Sequence, residues 1–135
     1  SVTVEGEVTG SIGPGLLVLL GVVRGDEESQ AEWMAQKVLG LRIFADENKP
    51  MNRSVVDVDG EILVVSQFTL AADTSRGNRP GFSDAAVPEV AEALYERVKA
   101  LLAESGLKVE SGRFGTDMAV ELVNDGPVTL IVDTP

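Results

Sequence analysis

Residues 62–70 read Ile62-Leu63-Val64-Val65-Ser66-Gln67-Phe68-Thr69-Leu70. The aliphatic residues at its start predict a core strand. Three polar side chains in the next four positions then break the pattern. If the chain stays extended, Gln67 and Thr69 point to one face and Ser66 and Phe68 to the other. Polar groups at the end of a buried strand must find partners. This stretch is therefore either a strand fraying into solvent with satisfied hydroxyls or a place where side chains are held out for chemistry.

Working outward, Val55–Val58 followed by Asp59-Gly60 predicts a hairpin into that strand, because Asp-Gly supplies the positive φ angles of a tight turn. On the other side, Thr74 to Ser83 carries Gly77, Pro80 and Gly81 and reads as a loop. A helix is expected from Pro88 to Ser105, with Pro88 at its first position and Gly106 as its stop. Valines 2, 4 and 8 suggest a hairpin turning at Glu5-Gly6. Leu16 to Val23 is a continuous apolar run, consistent with a strand covered on both sides. Asp26 to Leu39 reads as a helix capped by Asp26 and ended by Gly40. Ala31, Met34, Ala35 and Val38 lie on one face of it, and Trp33 beside them is expected in the core. Leu107–Glu110, Met118–Val123 and Val128–Val132 complete the expected strands, the last two joined by Asn124-Asp125-Gly126-Pro127. The order predicts a single α/β domain: a largely antiparallel, curled, barrel-like sheet with two packed helices.

Composition narrows the chemistry. The 135 residues contain no cysteine and no histidine. Thiolate nucleophiles, disulfides, Ser-His-Asp and Cys-His constellations and His- or Cys-bound zinc are excluded. Proton transfers must use carboxylates, lysines, Tyr95, water, backbone groups or the substrate. Asp57, Asp59 and Glu61 alternate on the expected hairpin and read as solvated, so neither a metal nor a cofactor is expected. The net charge of −11 does not suit a protein that wraps a long nucleic acid, although a local patch can still grip a short single-stranded end. Arg53, Arg76 and Arg79 come nearest to a cluster. The longest apolar run is too short to cross a bilayer, and a cytoplasmic location without membrane contact is expected.

Asn124-Asp125-Gly126-Pro127-Val128-Thr129 is the second unusual segment. Its pattern alone describes a turn without chemistry. Together with Ser66-Gln67-Phe68-Thr69-Leu70, however, it resembles the two signature motifs of the D-aminoacyl-tRNA deacylase family. Further segments are similar in order and spacing: Leu41–Phe44, Lys49–Ser54, Arg79–Phe82 and Gly112–Met118. The resemblance covers essentially the whole chain.

The resemblance implies hydrolysis of the ester of D-aminoacyl-tRNA, with glycine as a possible second substrate. It implies a homodimer with its sites at the subunit interface, the aminoacyl-tRNA 3′ end as partner, and no DNA. Gly126-Pro127, in cis, would reach into the partner's site, where backbone carbonyls would exclude L-amino acids. Ser66, Gln67, Phe68 and Thr69 would line the pocket, with Thr69 once considered a nucleophile in the family. Phe114 and Met118 would lie beside it, and Val128 and Thr129 would complete the binding residues. Family members also carry a first strand ahead of the residues present here. That strand is expected to be absent from this chain, which leaves open a catalytically weak module that binds aminoacyl-tRNA ends. The residues themselves agree on one point: a hydroxyl nucleophile here lacks its usual activators. A substrate-assisted reaction, relying on positioning and backbone donors, suits the composition better.

Overall fold

A computed structural model describes residues 1–135. Its elements in chain order are β1 (Val2–Val4), β2 (Glu7–Gly10), β3 (Gly15–Leu20), α1 (Glu28–Gly40), β4 (Glu61–Ser66), a 3-10 turn (Phe68–Ala71), α2 (Pro88–Ala103), β5 (Val109–Ser111) and β6 (Ala119–Val120). Glu5 and Gly6 both take positive φ (49° and 79°) and turn β1 into β2 as expected.

The α/β class with two packed helices stands, but strand polarity is divided. β2-β1-β6 form an antiparallel sheet, whereas β3-β4-β5 form a parallel one. The reason lies in residues 54–60. The expected strand Val55–Val58 is a helical turn. Ser54 N–H donates to Asp57 Oδ2 at 2.9 Å and Asp57 N–H donates to Ser54 Oγ at 3.1 Å. This reciprocal pair at i, i+3 is the bonding pattern of a helix start. No hairpin precedes β4, so β4 pairs instead with β3, from Gly15↔Glu61 to Leu20↔Ser66, with α1 in the crossover between them.

Alternation along β4 makes three layers. Ile62 and Val64 face the helices, in a core with Val38, Tyr95, Val98 and Leu102. Leu63 and Val65 face Val2 of the antiparallel sheet, with Leu17, Met118 and Val120 around them. Complete burial of Ile62 and Val64 stabilises the fold by roughly 1.5–3 kcal/mol per side chain. The sheets meet where a Cβ on Gly10 would stand 2.5 Å from the Ser111 carbonyl oxygen, an approach only glycine permits.

Other boundaries shift for local reasons. β3 ends at Leu20, not Val23, because residues 22–24 pair with the 84–86 segment: Ala86 N–H donates to Val22 O at 3.0 Å and Arg24 N–H to Asp84 O at 2.9 Å. β3 is covered only in part, with Leu19 44% exposed. α1 is capped one residue later than expected. Glu27 N–H donates to Gln30 Oε1 at 2.7 Å, while the Asp26 carboxylate accepts from Val23 N–H. Trp33 is half-buried outside the core, with Lys37 Nζ 5.1 Å from its ring centroid. α2 keeps its expected start at Pro88. The expected strand Val128–Val132 does not form: beyond β6 the chain has no regular element. The last ladder-like contact is Glu121 N–H to Ser1 O at 2.9 Å.

Candidate functional site

β4 carries the buried aliphatic run straight to the point where its pattern breaks. Ser66 is its last residue. Gln67 N–H still donates to Leu20 O at 2.8 Å, extending the parallel contact by one step. The chain then turns into the 3-10 segment, with Leu70 N–H donating to Gln67 O at 3.2 Å and Ala72 N–H to Thr69 O at 3.1 Å. The two-faced extended arrangement of residues 66–69 is thus replaced by a turn. Gln67 Nε2 donates to Thr69 Oγ1 at 2.5 Å, which places the two polar side chains together.

Phe68 is 56% exposed, and its ring meets Phe82 edge-on with centroids 5.1 Å apart. Phe68 and Thr69 open a helical turn, so their N–H groups lack a partner within it. Neither donates to any turn or loop carbonyl. Two unpartnered amides, a paired amide and hydroxyl, and an exposed aromatic ring form a polar shelf at the carboxyl end of a buried parallel strand. Open α/β sheets bind ligands at such ends.

The shelf is anchored from behind. Val64 O accepts from the buried Tyr95 hydroxyl at 3.0 Å and from Gly112 N–H at 3.1 Å. Burial pushes the Tyr95 phenol above the usual tyrosine range, with Glu96 adding to that and Ser111 opposing it, so the hydroxyl stays a donor. Phe114 stacks at 5.9 Å on Tyr95, on the helix side of β4. Met118 packs with Leu63 and Val65 on the other face. These two residues therefore approach the end of β4 from opposite faces.

Gly126, Pro127 and Thr129 are exposed and Val128 is half-buried. The Gly126–Pro127 peptide is cis. Asn124 closes the segment, with its Nδ2 donating to Thr129 Oγ1 at 2.8 Å and its Oδ1 accepting from Val128 N–H at 3.3 Å. No hydrogen bond within the protomer joins residues 124–129 to residues 66–69. Flanking residues are strongly apolar and open: Val123 is 90% and Ile131 91% exposed.

Sequence reasoning assigned no role to Phe82, and named Tyr95 only among groups able to move a proton, not as the hydroxyl that anchors β4. Phe82 ends a polar loop, where a lone aromatic is the available signal. Tyr95 falls on the buried stripe of α2, and a tyrosine there needs a partner for its hydroxyl.

The family described as D-Tyr-tRNA(Tyr) deacylase matches residues 1–133. A protein from Ruegeria pomeroyi named D-aminoacyl-tRNA deacylase is 61% identical over 133 residues, covering 98% of this chain and 92% of that protein. One of the same name from Paracoccus denitrificans is 62% identical, covering 98% and 89%. Among solved structures, one of the c-Myc DNA Unwinding Element Binding Protein superposes with a TM-score of 0.92 at 42% identity, covering 100% of this chain and 92% of that one. A probable eukaryotic D-amino acid tRNA deacylase shares the fold at a TM-score of 0.68 and 17% identity, covering 87% and 84%.

Proposed function

From the premise that this chain belongs to the D-Tyr-tRNA(Tyr) deacylase family, we propose that it hydrolyses the ester linking a D-amino acid to the 3′ end of tRNA. The observation that carries the reading is the Ser66–Thr69 shelf, whose free amides and exposed Phe68 stand at the carboxyl end of β4. The terminal adenosine lies against Phe68 and Phe82, where an aromatic edge stacks a base without reading a sequence. The ester carbonyl points at the N–H groups of Phe68 and Thr69, which are placed to stabilise the developing oxyanion.

Thr69 is a poor nucleophile. Its hydroxyl accepts from Gln67, and the chain has no histidine to act as its base. The adjacent 2′-hydroxyl of the ribose is held next to the ester by covalent structure, and it directs the attack of water. Water adds to the ester carbon, the bond to the 3′-oxygen breaks, and the proton passes to that oxygen. Ser66, Gln67 and Thr69 fix the ribose and the amino acid rather than enter the bond changes.

Specificity is assigned to the second segment. Residues 124–129 of a second copy close the shelf, and their backbone forms a wall that clashes with the side chain of an L-residue but not of a D-residue. The absence of internal hydrogen bonds to the shelf and the open apolar residues on both sides of Gly126–Pro127 support a homodimer with composite sites. Glycine, with no side chain to clash, is a further substrate. The work of such an enzyme places it in the cytoplasm.

The test is release of amino acid from D-tyrosyl-, L-tyrosyl- and glycyl-tRNA by the purified chain. Release from the D- and glycyl esters with the L-ester intact is expected. Equal release from both tyrosyl esters would remove the chiral assignment, and release from none would remove the enzymatic one.

A further inference from the structure

We propose that the loop 74–83 is a phosphate-binding surface that holds the RNA strand leading into the ester, an inference that rests on the reading of the substrate just given. The loop departs from the shelf and returns to it. It is closed at its base by Asp73 N–H to Gly81 O at 2.7 Å and Gly81 N–H to Asp73 O at 2.9 Å. Its far end is fixed by the Phe82 ring on Phe68, 5.1 Å between centroids, and by Arg24, whose Nε donates to Ser83 O. A base held against Phe68 and Phe82 is thereby set next to this loop.

The charge of the loop is opposite to that of the molecule. Residues 74–83 contain Arg76 and Arg79 and no carboxylate, in a chain of net charge −11. Both arginines are exposed, as is Arg24, which bonds the last residue of the loop. None of the three is in an ion pair: the pairs are Arg97–Glu28, Lys99–Glu96 and Lys108–Glu61, all elsewhere. The carboxylate at the base of the loop, Asp73, is occupied by Ser75, whose N–H and hydroxyl donate to it at 2.9 and 2.6 Å. Charges beyond about 8 Å are screened at physiological salt. Asp84, which follows the loop, and Asp26, which accepts from Val23 N–H, lie nearby in sequence but form no ion pair with these arginines, so a phosphodiester meets guanidinium groups free of carboxylate partners. Guanidinium is the side chain suited to fork onto phosphate oxygens. Such contacts set position and affinity and carry no sequence information.

The test uses an RNA hairpin of the acceptor-stem type with a single-stranded CCA end and no amino acid attached, titrated by fluorescence anisotropy at several salt concentrations. The proteins compared are the wild type, R76S/R79S and R76K/R79K. R76S/R79S is expected to bind about tenfold more weakly. Its slope of log K against log salt should be shallower by about 1.4, since each of two phosphates neutralised on a single strand adds about 0.7. The lysine variant should keep the slope. Equal affinity and slope for wild type and R76S/R79S would overturn the proposal, as would failure of the wild type to bind the hairpin. Because this probe carries no ester, hydrolysis of a D-tyrosyl ester of adenosine reports separately on the reaction. Loss of that hydrolysis with hairpin binding intact would sink the proposed function and leave the loop's role standing.

Discussion

β4 and the C-terminal arm, residues 121–135, both carry apolar residues beside a polar motif, and the protomer treats those residues in opposite ways. Ile62, Val64 and Val65 are at most 1% exposed, enclosed by helices on one side and the antiparallel sheet on the other. Val123 and Ile131 are about nine-tenths exposed, with no strand partner on either side. Each segment leads into one of the two polar motifs. The first motif is held by the protomer's own core. The second sits on a segment whose apolar side chains the protomer leaves uncovered. On this account the molecule builds half a site by itself and receives the other half from a second copy.

The largest expected effect comes from breaking the arm. Val123→Asp with Ile131→Asp would bury two unpaired charges at the subunit contact, weakening the dimer by about 4 kcal/mol or more, about a thousandfold. Analytical ultracentrifugation should then show monomers, and D-ester hydrolysis should be lost. The urea midpoint of the monomer should hardly move, because neither residue is packed within it.

In β4 the contrast inverts. Ile62→Ala removes a fully buried side chain and should cost about 2–5 kcal/mol of stability by urea unfolding. Dimer affinity of the protein that remains folded should be unchanged.

Tyr95→Phe tests the anchor behind the shelf more finely. It deletes one of two donors to Val64 O, while Gly112 N–H remains. A loss of about 1 kcal/mol is expected, with a reduced kcat for the D-ester as the end of β4 loosens.

The smallest effect concerns acid. Hydrogen bonds from the backbone and hydroxyl of Ser54, with a lesser contribution from Arg53, hold the Asp57 carboxyl below its ordinary 3.8. A depressed folded value means that the stabilisation is complete above about pH 4 and is lost as pH falls through the folded value. Asp57→Asn should therefore lower stability slightly at pH 7 and flatten its decline below about pH 4. The site is fully exposed, so solvent screens most of the effect.

The same two regions show what a sequence discloses. Helices α1 and α2, the turn at Glu5-Gly6 and the break in pattern at Ser66 were legible because each rests on local rules: periodicity, capping, positive φ. The parallel pairing of β3 with β4 was not. It depends on residues 54–60 turning as a helix, and the Ser54–Asp57 spacing competed with the β-branched Val55-Val56 for the same residues. Val128–Val132 read as a strand because alternation reports what a segment buries, not which chain covers it. Phe82 and Phe68 are 14 positions apart in sequence, and only the closed loop between them makes them neighbours. Family resemblance joined the two motifs into one expected site, a step that periodicity and turn chemistry leave open.

The central claim, that one copy's shelf works with the other copy's arm, is tested most directly by subunit complementation. Gln67→Ala with Thr69→Ala damages the shelf, and Asn124→Ala with Thr129→Ala opens the loop on the arm. Each variant alone should be inactive on D-tyrosyl-tRNA. Mixed in equal amounts and allowed to exchange, they should recover about a quarter of wild-type activity, because random pairing of twofold dimers gives half mixed dimers with one intact site each. If the mixture stays as inactive as its components while exchange is verified, shelf and arm act within one chain and the account is wrong.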